Sequence, residues 1–247
     1  MTDLLNAIPN RISRRKYIQK ELAPDAAEKL QTLIDEFYIN ENLKMRLIVG
    51  NGDAFKGFRK SYGMLSGVCN YIALISDKSE YVDLEKLGYY GEMLVLHATA
   101  LGLGTCWVGG TFDRRSCPVE LDDGEGVVCA ITVGEAAQEL SAKEKLIRWG
   151  THRKSKTAEQ MYTADSTVPD WFISGMTAVQ MAPSAVNRQP VMFTYKDGAV
   201  NASVKDIAGD GFAFDLGIAK LHFELGAGGG EWAFGNGAAF ARQESNS

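Results

Sequence analysis

The sequence predicts a protein of the α+β class, because helical and strand patterns follow one another along its 247 residues. Apolar residues spaced i, i+3, i+4 and i+7 after Pro24 predict a helix that packs one face on a core. Alternating apolar residues at 43–49, an apolar run at 71–76 and a β-branched run at 126–133 predict strands. The class follows from these two periodicities together.

The rest of the chain is predicted to contain further helices and strands, a linker and a polar tail. Residues 87–101 are apolar on all sides, which is typical of a buried central helix, and Gly102 ends it. Residues 157–168 have the composition of a linker, and residues 236–247 that of a frayed polar tail. Five later elements are also predicted: a helix at 171–181, a strand at 191–195, a hairpin turn at 196–198, a strand to Val204 and a helix at 215–226.

Composition narrows the range of partners. The net charge of −5 argues against a general binder of nucleic acid or of anionic membranes, although a local basic pocket stays open. No signal peptide is predicted, and the most apolar run, 93–104, is too short to span a bilayer. Four cysteines without a Cys-x-x-Cys pair favour reduced thiols in a cytoplasmic protein. The three histidines lie far apart, so no metal site is predicted.

A rigid turn, APSAVNRQP at residues 182–190, separates the predicted helix and strand of the second half. Its first proline stops the helix, because proline has no N–H to continue the ladder, and its second proline opens the strand. Between them Ser184, Asn187 and Gln189 can donate and accept hydrogen bonds. The turn is suited to presenting polar atoms to a flat heteroaromatic ligand; the alternative is a connector whose polar groups cap one another.

Basic residues are concentrated near the start of the chain. The arm RISRRKY at residues 11–17 carries four positive charges in seven positions. Its arginines suit a phosphate, which they grip with bidentate bonds, and Ser13 adds a hydroxyl; the alternative is a solvated arm. Two further basic stretches, 56–67 and 148–154, are typical of solvated surface, with contact between one of their residues and a ligand as the alternative.

Three motifs together resemble the nitroreductase family. The arm at 11–17 is similar to the family's Arg-x-Ser-x-Arg/Lys-x-Tyr/Phe motif, and the turn at 182–190 to its Pro-Ser-x-x-Asn flavin-edge motif. The run GLGTCWVGG at 102–110, after the long apolar helix, resembles its glycine turn. The order differs, because in the family the Pro-Ser-x-x-Asn motif comes soon after the arm, whereas here it lies near the end.

An internal repeat accounts for the displaced motif. The helix at 215–226, followed by Trp232, echoes the helix at 90–101, followed by Trp107. Each segment has an aromatic or apolar start, a glycine, an apolar helix, a glycine-rich turn and a tryptophan.

The resemblance to nitroreductases suggests why the chain would contain this repeat. Nitroreductases are intertwined homodimers that bind flavin at the interface, with the arm and the Pro-Ser-x-x-Asn motif supplied by different subunits. We expect residues 1–160 to form a nitroreductase-like first half and residues 161–247 a smaller second half that completes one flavin site. The implied fold is an antiparallel-rich sheet flanked by helices, with the halves as an intramolecular pseudo-dimer. Such a chain is a monomer or a weak homo-oligomer.

The resemblance also implies the cofactor and its ligands. FMN carries the chemistry, with NADH or NADPH as electron donor and a nitroaromatic, quinone or similar small molecule as acceptor. Arg11 and Arg153 hold the phosphate, and Arg15 lies near the pyrimidine edge of the ring, where negative charge builds up on reduction. No catalytic side chain is predicted. The full candidate set for binding the cofactor is Arg11, Ser13, Arg15, Trp107, Val108, Gly109, Gly110, Arg153, Lys154, Pro183, Ser184, Ala185, Asn187 and Gln189.

Two other functions stay open at this point. The protein could bind flavin without turnover, as a storage or sensing module, since one of the two sites of the family's dimer is missing. It could also be an α+β scaffold without a cofactor, in which the three motifs serve packing.

Overall fold

The structure of the chain is a computed structural model that describes residues 2–56, 64–77, 79–137, 139–152, 155–208 and 211–242. The predictions for Arg153 and Lys154, and for most of the basic stretch 56–67, lie outside these residues. The chain divides into two compact units, each assembled from segments that are separate in sequence. The four-stranded unit comprises Asn10–Glu80 and Leu94–Gly150, and the five-stranded unit comprises Met1–Pro9, Tyr81–Met93 and Thr151–Ser247.

The described residues form six α-helices and nine strands. The helices are α1 (Thr2–Ala7), α2 (Pro24–Glu41), α3 (Tyr81–Ala100), α4 (Ala142–His152), α5 (Asp170–Gln180) and α6 (Phe212–Gly226). The strands are β1 (Lys44–Ile48), β2 (Asn70–Ser76), β3 (Gly104–Val108), β4 (Gly126–Gly134), β5 (Tyr162–Ala164), β6 (Met192–Lys196), β7 (Ala199–Ser203), β8 (Glu231–Trp232) and β9 (Ala239–Ala241).

The sheet of the four-stranded unit is antiparallel throughout, in the order β1-β2-β4-β3. Strand β2 lies in the interior of the sheet and all of its residues are buried. The predicted strands at 43–49, 71–76 and 126–133 are confirmed as β1, β2 and β4. Strand β3, at one edge, was not predicted, because five residues after a glycine-rich helix end carry little strand signal.

Helix α2 confirms the prediction made from its apolar spacing. Leu30, Ile34 and Phe37 are buried, so one face of the helix packs inward. Asn42 ends it with φ of 55°, the left-handed conformation that asparagine tolerates at a helix C-terminus. None of the helices that the structure describes has both the length and the apolar character needed to cross a bilayer.

The sheet of the five-stranded unit has the order β5-β6-β7-β9-β8. Only β5 runs parallel to its neighbour, and the other pairs are antiparallel. The predicted hairpin joins β6 to β7 through Asp197 and Gly198, which have φ of 51° and 80° and match a two-residue turn. An aromatic core lies against this sheet, where the rings of Phe193 and Phe223 stack with centroids 5.1 Å apart.

Two predictions for this unit are wrong. Residues 157–168, predicted as a linker, contain β5, which pairs with β6 from Tyr162 opposite Phe193 onward. Residues 236–242, the described part of the segment 236–247 that was predicted as a frayed tail, contain β9, in which the buried Phe240 pairs with Val200 and Trp232. Both segments are too short and too polar to show a strand period, so only partner strands make them strands.

Helix α6 and the first half of α3 approach each other closely at two glycines. A Cβ atom added to Gly217 would lie 1.9 Å from the Glu85 carbonyl oxygen, and one added to Gly88 would lie 2.3 Å from the Phe214 carbonyl oxygen. Only glycine permits this backbone contact. The contact joins the two helices that form the internal repeat.

Candidate functional site

The basic arm lies beside the edge strand β3 in the four-stranded unit. Ser13 forms a parallel bridge with Thr105, and the Arg14 backbone N–H donates to the Thr105 carbonyl at 2.7 Å. Burial raises the pKa of the Cys106 thiol, while the positive charges of Arg15 and Arg11 oppose that rise. The positive charges of both arginines therefore act on the middle of β3.

The arm is held in place by Glu144, which the sequence did not single out. Its carboxylate, 2% exposed, accepts from the Arg15 backbone N–H at 2.7 Å and from Arg14 Nε at 3.1 Å. It also accepts from the Lys16 backbone N–H at 3.3 Å. Burial works to raise the pKa of Glu144, but hydrogen bonds from Arg15, Ser141 and Arg14 hold it at about 2. Arg14 is therefore committed to this carboxylate, and Arg15 Nη1 donates to the Ser13 carbonyl at 3.4 Å within the arm.

A sequence signal for Glu144 existed. Ser141 and Glu144 have the Ser-x-x-Glu spacing of a capping box, with Ser141 directly before α4 and Glu144 in its first turn. The Ser141 backbone N–H and hydroxyl donate to Glu144 at 2.8 and 2.7 Å. This signal predicts the start of α4, but not the bonds to an arm about 130 residues away.

The glycine turn follows β3 directly. Val108 is buried and Trp107 half-buried, whereas Gly109 and Gly110 are exposed. Apart from the glycine itself and its two chain neighbours, no atom of the described residues lies within 4 Å of a Cβ placed on either glycine. The Arg114 guanidinium donates to the Gly109 carbonyl and, at 2.8 Å, to the Val127 carbonyl. The turn is thus fixed at its carbonyl side and open above its backbone.

The Pro-Ser-x-x-Asn turn belongs to the five-stranded unit, where it follows the end of α5 as Pro183 predicts. Asn187 Nδ2 donates to the Thr151 carbonyl at 3.0 Å and to Ser155 Oγ at 2.9 Å. The Ser184 hydroxyl accepts from the Gln189 backbone N–H at 2.9 Å. Both donor hydrogens of Asn187 are therefore used within the protein.

The Gln189 side chain, 4% exposed, is also tied to its neighbours. It accepts from the Lys156 backbone N–H at 2.7 Å and donates to the Gln180 carbonyl at 3.2 Å. These bonds correspond to the second interpretation of the turn, a connector whose polar groups are used within the protein instead of being presented to a ligand. Binding of flavin by Asn187 or Gln189 stays a prediction, and in this conformation it has to use atoms outside these bonds.

The predicted site residues thus fall into two groups. Arg11, Ser13 and Arg15 lie with 107–110 in the four-stranded unit. The residues of the late turn lie in the five-stranded unit, namely Pro183, Ser184, Ala185, Asn187 and Gln189.

The fold is α+β with two mostly antiparallel sheets, and the basic arm and the open glycine turn adjoin one edge strand. The family model described as "Putative TM nitroreductase" matches residues 3–227 of the chain. The chain belongs to this nitroreductase family.

Three solved structures are similar to the chain, and the first of them shows the fold. A putative nitroreductase from Thermotoga maritima MSB8 is similar, with 20% identity and a TM-score of 0.64 over 96% of this chain and 91% of that one. A nitroreductase with bound FMN from Desulfitobacterium hafniense DCB-2 matches with 16% identity and a TM-score of 0.46, over 56% of this chain and 92% of that one. An FMN-dependent nitroreductase from Clostridium difficile R20291 matches with 16% identity and a TM-score of 0.43, over 63% and 99%. No curated protein matched the sequence.

Proposed function

We propose that the protein is an FMN-dependent oxidoreductase that uses NADH or NADPH to reduce a nitroaromatic, a quinone or a similar small acceptor. One observation carries the proposal: the basic arm and the open glycine turn, far apart in sequence, adjoin the same edge strand β3. Family membership supports the reaction class.

The residues of the four-stranded unit fit a flat cofactor that bears a phosphate. Arg11 and Ser13 would hold the phosphate, because guanidinium and hydroxyl groups are good phosphate donors. Arg15 would lie near the pyrimidine edge, where a fixed cation favours the reduced ring. Exposed backbone at Gly109 and Gly110 admits a ring without a side chain in the way. When bound, FMN supplies a ring that accepts two electrons from the nicotinamide and passes them to the acceptor.

The proposal also includes the remaining predicted cofactor ligands and the predicted division of the chain into two halves. Arg153 and Lys154 would add to the phosphate site, and the turn at 183–189 would bind the opposite edge of the cofactor. We keep the halves 1–160 and 161–247 as an intramolecular pseudo-dimer, which the glycine contact between α3 and α6 supports. Four free cysteines support a cytoplasmic location for a monomer or weak homo-oligomer.

Titration with FMN tests the proposal directly. We expect uptake of about one FMN per chain, because only one arm and one Pro-Ser-x-x-Asn turn are present. Fluorescence quenching gives the stoichiometry. Loss of the yellow absorbance on addition of NADH or NADPH shows reduction of the flavin, and its return on addition of a nitroaromatic or quinone shows turnover. Two FMN per chain would rule out the pseudo-dimer. A bound flavin that neither nucleotide bleaches would favour storage or sensing, and no uptake would leave a scaffold.

Replacement of Arg11 by alanine is expected to weaken FMN binding about 10- to 100-fold, because a charged hydrogen bond contributes about 1.5–3 kcal/mol. Riboflavin, which lacks the phosphate, should bind both forms equally well. Arg46 is exposed on β1, at the opposite edge of the sheet, so Arg46→Ala is the control and should leave both affinities unchanged. Equal FMN affinity in the Arg11 and Arg46 variants would remove Arg11 from the site.

A further inference from the structure

The Pro-Ser-x-x-Asn turn at residues 182–190, called the late turn below, has backbone dihedral angles that are unfavourable for several of its residues. Three residues other than glycine have positive φ within four positions, namely Val186 at 46°, Asn187 at 57° and Gln189 at 47°. A β-branched residue such as valine rarely occupies this region. Such conformations persist only where surrounding contacts enforce them, so the turn depends on anchors outside itself.

The anchor at the start of the turn is Asp215, in the first turn of α6. Both of its carboxyl oxygens lie near the Ala185 backbone nitrogen, at 3.0 and 3.2 Å, and the residue is 4% exposed. Three other ionisable groups of α6 are bound elsewhere. They form the pairs Lys220 with Glu85, His222 with Glu92, and Glu224 with Tyr89.

Asp215 is buried with little to stabilise its charge. Burial raises the pKa of Asp215 to about 7, and the Ala185 N–H and the positive charge of Arg188 offset only part of that rise. Among the described residues, Glu85 on α3 is paired with Lys220, and Lys205 and Asp206 before α6 are exposed to solvent. Near neutral pH the buried carboxyl is therefore partly protonated.

The sign of the coupling follows from linkage. An aspartate that reaches water has a pKa near its ordinary value of 3.8, well below about 7 in the closed turn. The closed turn thus binds the proton more tightly than any state in which Asp215 is hydrated. The free energy by which Asp215 favours the closed turn is therefore largest at low pH, and it is lost as the pH rises through 7.

We propose that Asp215 is a positioning residue of the late turn, and that its proton keeps the turn closed on the Ala185 amide while loss of the proton favours opening. The effect on FMN rests on the proposed function: if the turn binds flavin, the affinity for FMN is higher at low pH than at high pH. The closure itself does not require flavin.

Hydrogen exchange of the Ala185 amide in flavin-free protein tests the closure. We expect its protection factor, which is corrected for intrinsic exchange, to fall about tenfold between pH 6 and pH 8, because the opening equilibrium changes about tenfold per pH unit below the closed-turn pKa and levels off above it. A protection factor that is flat or rises with pH overturns the proposal, and this measurement needs no variant.

Two variants and a matched control separate this role from general packing. Asp215→Asn keeps an acceptor but cannot ionise, so the Ala185 amide should stay protected over the whole pH range. Asp215→Ala removes the acceptor, so protection should be low at every pH. Burial also raises the pKa of Glu224 to about 7, but its partner is Tyr89, so Glu224→Gln should keep the pH profile of the unmodified protein. A pH profile lost in Glu224→Gln, or kept in Asp215→Asn, overturns the assignment.

FMN affinity over the same pH range tests the consequence. We expect binding to weaken several-fold from pH 6 to pH 8 in the unmodified protein and to stay constant in Asp215→Asn. Absence of FMN binding at any pH would refute the proposed function, while the exchange measurement would still decide the role of Asp215. Binding that responds to pH equally in both proteins would overturn the coupling to flavin.

Discussion

Replacement of Lys220 by alanine is expected to destabilise the protein by about 3–5 kcal/mol, because it leaves a buried charge without its partner. The side chains of Lys220 and Glu85 are 0% and 1% exposed. The Lys220 ammonium donates to Glu85 and to the carbonyls of Ala233 and Gly235, at 3.0 and 3.1 Å for the carbonyls. Burial lowers the pKa of Lys220, and the Glu85 carboxylate opposes that change.

The same loss should loosen the segment that leads into β9. Glu85 also accepts from the Gly235 backbone N–H at 2.8 Å, so the pair ties this segment to α3 and α6. Denaturant unfolding measures the free-energy change. Lys20→Ala is the control, because Lys20 and Glu135 form an exposed pair that contributes about 0–1 kcal/mol. A change in the Lys220 variant no larger than in this control would contradict the buried pair.

Replacement of Glu144 by alanine is expected to lower the free energy of unfolding by about 3 kcal/mol and FMN affinity by tenfold or more. The carboxylate is the common acceptor for Arg14 and for the backbone of Arg15 and Lys16, so its loss frees the arm. Since the folded pKa of Glu144 is lowered to about 2, its stabilisation is present above about pH 4.5 and is lost as the pH falls through 2.

A control on the same helix isolates this effect. Lys143 is exposed next to Glu144, so Lys143→Ala should change neither stability nor FMN affinity appreciably. Calorimetry and fluorescence titration on the two variants give both quantities. If Glu144→Ala matches Lys143→Ala in FMN affinity, the arm does not depend on its carboxylate anchor for binding.

Much of the fold could be predicted from the sequence, because its signals are local. Proline at 183 stops α5, the Asp-Gly pair at 197–198 sets the hairpin, and the apolar spacing after Pro24 makes α2 one-sided. These patterns act through dihedral preference and periodicity within a few residues. The arm and the glycine turn could be found in the same way, as short runs of characteristic residue types.

Partners distant in sequence account for what could not be predicted. Strand β5 and the terminal β9 carry no strand period and become strands only when they pair with β6 and β7. Residues 87–101 were predicted to be apolar on all sides of a helix, yet Glu92 is buried there because α6 supplies His222 opposite it, and Glu85 earlier in α3 is buried against Lys220. A polar residue looks the same in sequence whether it faces water or a buried partner.

The sequence by itself determined the α+β class, most helix ends and strand positions, and the three motifs that resemble nitroreductases, because each depends on neighbours along the chain. Only the tertiary structure decided that Glu144 holds the basic arm beside β3, and that Asp215 accepts a hydrogen bond from the Ala185 backbone N–H. The reason is physical: a buried carboxylate is stable only where donors from other segments converge on it, and that convergence exists only once the chain has folded.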